Sequence, residues 1–134
     1  MRVIAGKLRG RRIDAPASDT VRPTYDRVRE SLFAIIEPDL AGASVLDVFA
    51  GSGFLAIESL SRGAARATLL EFDRRTFSAM NANIERLGLL RSCETRRGDA
   101  LRLLSRPLPG RPYDVVFVDP PYGSGLLEPA LESL

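Results

Sequence analysis

The stretch Val45-Leu46-Asp47-Val48-Phe49-Ala50-Gly51-Ser52-Gly53 decides how this chain folds. An apolar run ends around an acid, two glycines permit a tight turn, and the apolar segment Phe54–Arg62, closed by Gly63, follows at once. Strand, glycine turn and helix together open a βα unit. The pattern repeats downstream. Ala67–Glu71 reads as a second strand, and Asp73 caps a helix that runs to Leu87 and stops at Gly88. Cys93–Arg96 is a shorter third strand, Asp99 caps the helix Ala100–Ser105, and a Pro/Gly loop leads to a fourth strand, Tyr113–Val118. Such alternation predicts a doubly wound, mainly parallel α/β sheet. Leu126–Leu134 begins a helix that should cross to a fifth strand, so the chain reads as truncated, with strand four a parallel edge.

Before the glycine turn, Met1–Ala15 reads as a basic β-hairpin, with Val3-Ile4-Ala5 and Arg11-Arg12-Ile13 as short strands around Gly6 and Gly10. Residues 16–23 form a linker. Thr24 is the expected N-cap of a helix ended by Pro38, with Val28, Leu32, Ile35 and Ile36 on its packing face. Two parts result: residues 1–23 as a basic extension, and 24–134 as the α/β domain.

The 134 residues carry a net charge of +2, unevenly spread. Residues 1–29 hold eight cations against three acids, a balance of +5, which leaves −3 for residues 30–134. A basic head on a mildly acidic body points to a polyanion contact confined to the head. The single cysteine, Cys93, reads as core filler and excludes an internal disulfide. Absence of histidine makes a metal site improbable and removes the usual general base. No apolar run approaches the roughly 20 residues of a membrane helix. A bacterial-type cytoplasmic enzyme is the simplest context, with a monomer favoured.

Three acids, Asp47, Glu71 and Asp99, fall at the ends of three successive strands, at the sheet edge where open α/β sheets bind ligands. Gly51 and Gly53 let the backbone approach a nucleotide-type cofactor, and Glu71 is placed to accept from vicinal ribose hydroxyls, with Phe72 beside it to face an adenine. Asp99 is equally explained as a helix cap. The fourth strand ends in Asp119-Pro120-Pro121-Tyr122. There the acid and the Pro120 carbonyl can each accept one N–H of an aromatic amine, aiming its lone pair at an electrophile, while Tyr122 stacks on the base.

These residues resemble the class I S-adenosylmethionine-dependent methyltransferases, the Asp-Pro-Pro-Tyr signature being similar to their amino-modifying branch. Arg22-Pro23-Thr24 followed by Asp26-Arg27-Val28-Arg29-Glu30-Ser31-Leu32-Phe33 resembles the RsmD-type family of bacterial 16S rRNA guanine-N2 methyltransferases. The resemblance implies a Rossmann-like methyltransferase sheet whose further, C-terminal strands, of seven in all, are missing here. It implies S-adenosyl-L-methionine held by Asp47, Phe49, Ala50, Gly51, Ser52, Gly53, Glu71, Phe72, Asp99, Ala100 and Thr24, and a guanine received by Asp119, Pro120, Pro121 and Tyr122. Arg2, Lys7, Arg9, Arg11, Arg12, Arg22 and Arg27 would contact 16S rRNA, free or in a partly assembled small ribosomal subunit. No metal is implied. Methylation of DNA adenine or a protein amide, a nicotinamide-dependent oxidoreductase and a non-catalytic RNA-binding module are the alternatives.

Overall fold

The computed structural model describes residues 1–15 and 23–134. The linker and Arg22 lie outside the described residues, as does the side chain of Thr24. Four strands, β1 (Ser44–Asp47), β2 (Arg66–Glu71), β3 (Cys93–Arg97) and β4 (Val115–Phe117), form one sheet in the order β3-β2-β1-β4, every pair parallel. Helices α1 (Pro23–Ile36), α2 (Phe54–Ser61), α3 (Arg74–Arg86), α4 (Ala100–Leu104) and α5 (Leu127–Glu132) complete it. Strand side chains alternate between faces. Val45 and Leu69 join a core with Phe33, Ile57, Leu60, Met80 and Ile84, whereas Leu46 and Leu70 join Leu104, Leu108 and Ala130 on the other side. The sheet is therefore covered on both faces, as a doubly wound fold requires.

Both expected caps between strands and helices are in place. The Asp73 carboxylate accepts from Thr76 N at 2.9 Å, and Asp99 accepts from Leu101 N at 2.8 Å. Cys93 is half-buried against the main core, and burial pushes its thiol up to about 12. Three expectations need correction. The helix α1 starts at Pro23, so Thr24 is its second residue and not its cap; a proline at the first position sacrifices no helical hydrogen bond. Its packing face is also different. Val28 and Ile35 are exposed, whereas Phe33 is fully buried between Phe54 and Phe117, with ring centroids at 6.3 and 5.9 Å. Apolar residues occupy all five positions from Leu32 to Ile36, so periodicity alone selects no unique stripe.

The third correction concerns the amino-terminal segment, which has a single antiparallel bridge, Arg2–Arg12, rather than two strands. Its backbone folds back tightly, with Val3 N donating to Arg11 O at 2.9 Å and Gly10 N to Val3 O at 2.8 Å. The turn is latched to α2 by Glu58, which is completely buried and accepts from Ile4 N at 2.7 Å, Ala5 N at 3.1 Å and Arg62 Nε at 2.8 Å. Gly6 (φ +87°) packs so closely that a Cβ there would lie 2.0 Å from the Ser61 carbonyl oxygen. Gly6→Ala is expected to destabilise the fold by on the order of 3 kcal/mol, read from urea unfolding midpoints.

Candidate active site

Parallel strands put all four carboxyl ends on one rim, and a cavity of about 890 Å³ opens there, within the usual range for small-molecule sites. Four loops build it. Phe49, Ala50, Gly51 and Ser52 come from the first turn, Glu71 and Phe72 from the second, Asp99 and Ala100 from the third, and Asp119, Pro120, Pro121 and Tyr122 from the segment after β4. The sequence-predicted residues of the glycine turn and of the Asp-Pro-Pro-Tyr loop thus face one space. Register enforces this, since Asp47 pairs with Phe117 and Val48 N donates to Phe117 O at 3.0 Å.

Asp47 and Gly53 are not on the cavity wall; they are buried beside it. Gly53 adopts φ +88°, and a Cβ there would meet Met80 Cγ at 3.2 Å, so the turn requires glycine. Asp47 is wholly inaccessible, and neither carboxylate oxygen has a hydrogen-bond partner among the described residues. Burial raises its pKa to about 7, with the Phe49 backbone N–H opposing the rise and the negative charges of Asp119 and Glu71 adding to it. A carboxyl held above its unfolded value binds more protons in the folded state, so stability falls as pH rises from about 4 to about 7 and is flat above. Asp47→Asn removes this penalty. We expect a stability gain of a few kcal/mol at pH 8 and almost none at pH 4, read from thermal unfolding.

Glu71 is oriented by the backbone on either side of it: Oε1 accepts from Gly51 N at 3.0 Å and Oε2 from Asp73 N at 2.8 Å. Each oxygen retains acceptor capacity. Asp99 uses only Oδ1 for its cap, on Leu101 N and Arg102 N, and Oδ2 is unengaged among the described residues. Cap and cavity wall are one side chain. Asp73 also lines the cavity, its carboxyl held below the usual range by hydrogen bonds from the Thr76 N–H and hydroxyl. Sequence reading saw Asp73 only as a cap. Arg29 also reaches the cavity from α1, with its guanidinium 4.2 Å from the Phe54 ring centroid. Phe72 and Tyr122 are strongly exposed, each offering a ring at the mouth.

The predicted cationic residues occupy a different surface. Arg2, Lys7, Arg9, Arg11 and Arg12 are exposed on the amino-terminal turn, and Arg27 is exposed on α1; none lines the cavity. Arg12 pairs with Asp14 at 3.0 Å, and Arg2 donates to Gly10 O at 2.8 Å. Among the described residues no cluster of acids and cysteine has metal-holding geometry, and no helix is long and apolar enough to cross a membrane.

Comparison with known proteins bears on this site. A family model described as Conserved hypothetical protein 95 matches residues 1–134. Ribosomal RNA small subunit methyltransferase D of Escherichia coli is 43% identical over 136 residues, which cover the whole of this chain and 66% of that relative. The chain belongs to the RsmD-type methyltransferase family. It spans about two thirds of the length of that family member. A solved structure from Escherichia coli, named yhhF, superposes with a TM-score of 0.87 at 41% identity, covering 99% of this chain and 72% of that one. An O-methyltransferase from Bacillus cereus, solved in complex with SAH, superposes at 0.65 with 26% identity, over 87% of this chain and 54% of its own. The four-stranded sheet is thus the Rossmann-like methyltransferase sheet.

Proposed function

We propose that this chain methylates the exocyclic N2 amino group of a guanine in bacterial 16S ribosomal RNA, using S-adenosyl-L-methionine, in the cytoplasm where small ribosomal subunits assemble. One observation carries the reading: in a member of a methyltransferase family, the glycine turn and the Asp119–Tyr122 loop open onto a single cavity.

The donor set fits the cofactor. Its cavity is rimmed by Glu71, Asp73, Asp99 and Asp119, with the orphaned Asp47 carboxylate buried beside it, and such a site favours a ligand carrying ammonium and sulfonium charges. When bound, that cofactor supplies a methyl group already activated by its sulfonium. Glu71 would hold the ribose hydroxyls, Asp99 Oδ2 and Ala100 the adenine, and Gly51 and Ser52 the methionine end, with Asp47 buried behind them. Asp119 and the Pro120 carbonyl accept the two amino protons of the guanine. Pro120 and Pro121 stiffen the acceptor loop, and Tyr122 stacks on the base. The chain's task is then alignment, which supplies roughly 7–11 kcal/mol in favourable cases. No strong base is required, because Asp119 or water takes the proton released after transfer.

Residues 1–23 serve in this reading as the RNA-contacting extension and 24–134 as the cofactor-binding domain. Charge reversal at Arg9 and Arg11 is expected to weaken rRNA binding more than tenfold at low salt and to leave cofactor affinity unchanged, as measured by filter binding against calorimetry. Radiolabelled methyl transfer to rRNA, DNA and protein tests the substrate class directly. Label on the guanine N2 of 16S rRNA is expected; label only on DNA adenine or on a protein amide would overturn it.

A further inference from the structure

Asn83 lies off the cavity, yet it touches both parts of the chain that the proposed reaction uses. It stands on α3 and is almost wholly buried. Its Nδ2 donates to Ser52 O at 3.0 Å and to Asp14 O at 2.8 Å. Its Oδ1 accepts from Asp14 N at 3.0 Å and from Arg86 Nη2 at 3.1 Å. Two donated and two accepted bonds use the full capacity of an amide side chain. Ser52 belongs to the glycine turn and lines the cavity. That turn is held by Gly51 N on Glu71 Oε1, by Gly53 N on Ala50 O at 2.9 Å, and by Ser52 O on Asn83. The last of these leads away from the cavity and into the amino-terminal segment. Asp14 follows Arg11 and Arg12 there, and Arg86 Nη2 also donates to Arg12 O at 2.6 Å.

A buried amide that loses one partner must turn to find another, because an unmet donor or acceptor is costly away from water. Release of Asp14 strips Asn83 of one donated and one accepted bond together, and the same rotation withdraws the N–H from Ser52 O. The docked segment and the formed glycine turn are thus favoured by one side chain in one orientation. We infer that Asn83 is a positioning residue that couples the cationic amino-terminal segment to the cofactor turn, so that RNA held by the one and cofactor held by the other bind cooperatively. Such coupling is reciprocal, each ligand raising the affinity of the other by the same factor. The inference rests on the proposed use of S-adenosylmethionine at the turn and of the amino-terminal segment for rRNA.

Amide hydrogen exchange on the parent chain tests the coupling without any variant, with S-adenosylhomocysteine as the probe. Saturation is expected to slow exchange at Asp14 N by about fivefold beyond any change at Ile4 N, which is held by Glu58 on α2 outside this network. A residue that only fastens the fold would shift both amides alike. Filter binding of 16S rRNA supplies the second arm. Saturating S-adenosylhomocysteine is expected to tighten rRNA binding by the parent about fivefold to tenfold, and by Asn83→Asp, which puts an acceptor where Ser52 O needs a donor, by less than about twofold. Because each chain is compared with itself, the added charge of the variant cancels. Equal protection at Asp14 and Ile4, or the same tightening in parent and variant, would overturn the coupling and leave the cofactor reading intact. Failure of the parent to bind S-adenosylhomocysteine would overturn the cofactor reading, and failure to bind rRNA the reading of the amino-terminal segment; either takes the coupling with it.

Discussion

Asp119→Ala is expected to lower the proposed methyl transfer to rRNA by at least about 10²–10³, with S-adenosylhomocysteine affinity staying within about twofold of the parent. The two readouts should diverge because Asp119 follows β4 at the edge of the sheet, where the proposed function puts the amine, whereas Glu71 and Asp99 follow β2 and β3. Losing the carboxylate would remove one of the two acceptors proposed to direct the amine's lone pair. It also removes a negative charge that raises the Asp47 pKa, so the buried Asp47 carboxyl should become easier to ionise, which would not weaken binding of the proposed cationic cofactor. Asp119→Asn keeps one oxygen acceptor and is expected to retain a measurable fraction of the rate. Single-turnover transfer and calorimetry on the same samples check both halves; parallel loss of rate and cofactor binding would contradict the assigned role.

Glu58→Ala is the largest expected stability effect, about 3–5 kcal/mol. Glu58 is completely buried and holds three donors at once, so its loss strands the Ile4 and Ala5 amides and leaves Arg62, whose side chain is only 6% exposed, with the more distant Glu37 at 3.5 Å. Against a typical total of 5–15 kcal/mol, that is a substantial share. Glu58→Gln keeps acceptance from the amides and loses the ion pair, so its cost should be smaller. Chemical denaturation gives the totals. Amide hydrogen exchange locates the damage, with Ile4 and Ala5 expected to lose protection first.

Much of this was readable beforehand, for specific reasons. A strand that ends in Asp47 and turns through Gly51 and Gly53 has few alternatives, and once the strands are parallel, Glu71, Asp99 and Asp119 must share a rim. What escaped was carried by charged residues in unexpected places. Glu58 sits in a helix whose other residues, Leu55 apart, are all buried, and an acid in such company must have internal partners. That signal was present in the sequence and unread. Asp73 read only as a helix cap, although it also lines the cavity. Val28 and Ile35 misled because Leu32–Ile36 is too uniformly apolar to reveal which side packs. The amino-terminal reversal at Gly6 and Gly10 was placed, but its strands were overextended, since only Arg2 and Arg12 pair as a bridge.

The latch on Glu58 has a consequence for how the protein is born. Residues Ile4 and Ala5 bond to a partner more than fifty positions later, and Asp14 N bonds to Asn83 at 3.0 Å, 69 positions later. At synthesis rates of about 5–20 residues per second, the first turn leaves the ribosome several seconds before anything it can dock on exists. The cationic segment that the mature fold pins down is therefore the part of the nascent polypeptide left waiting longest in the open.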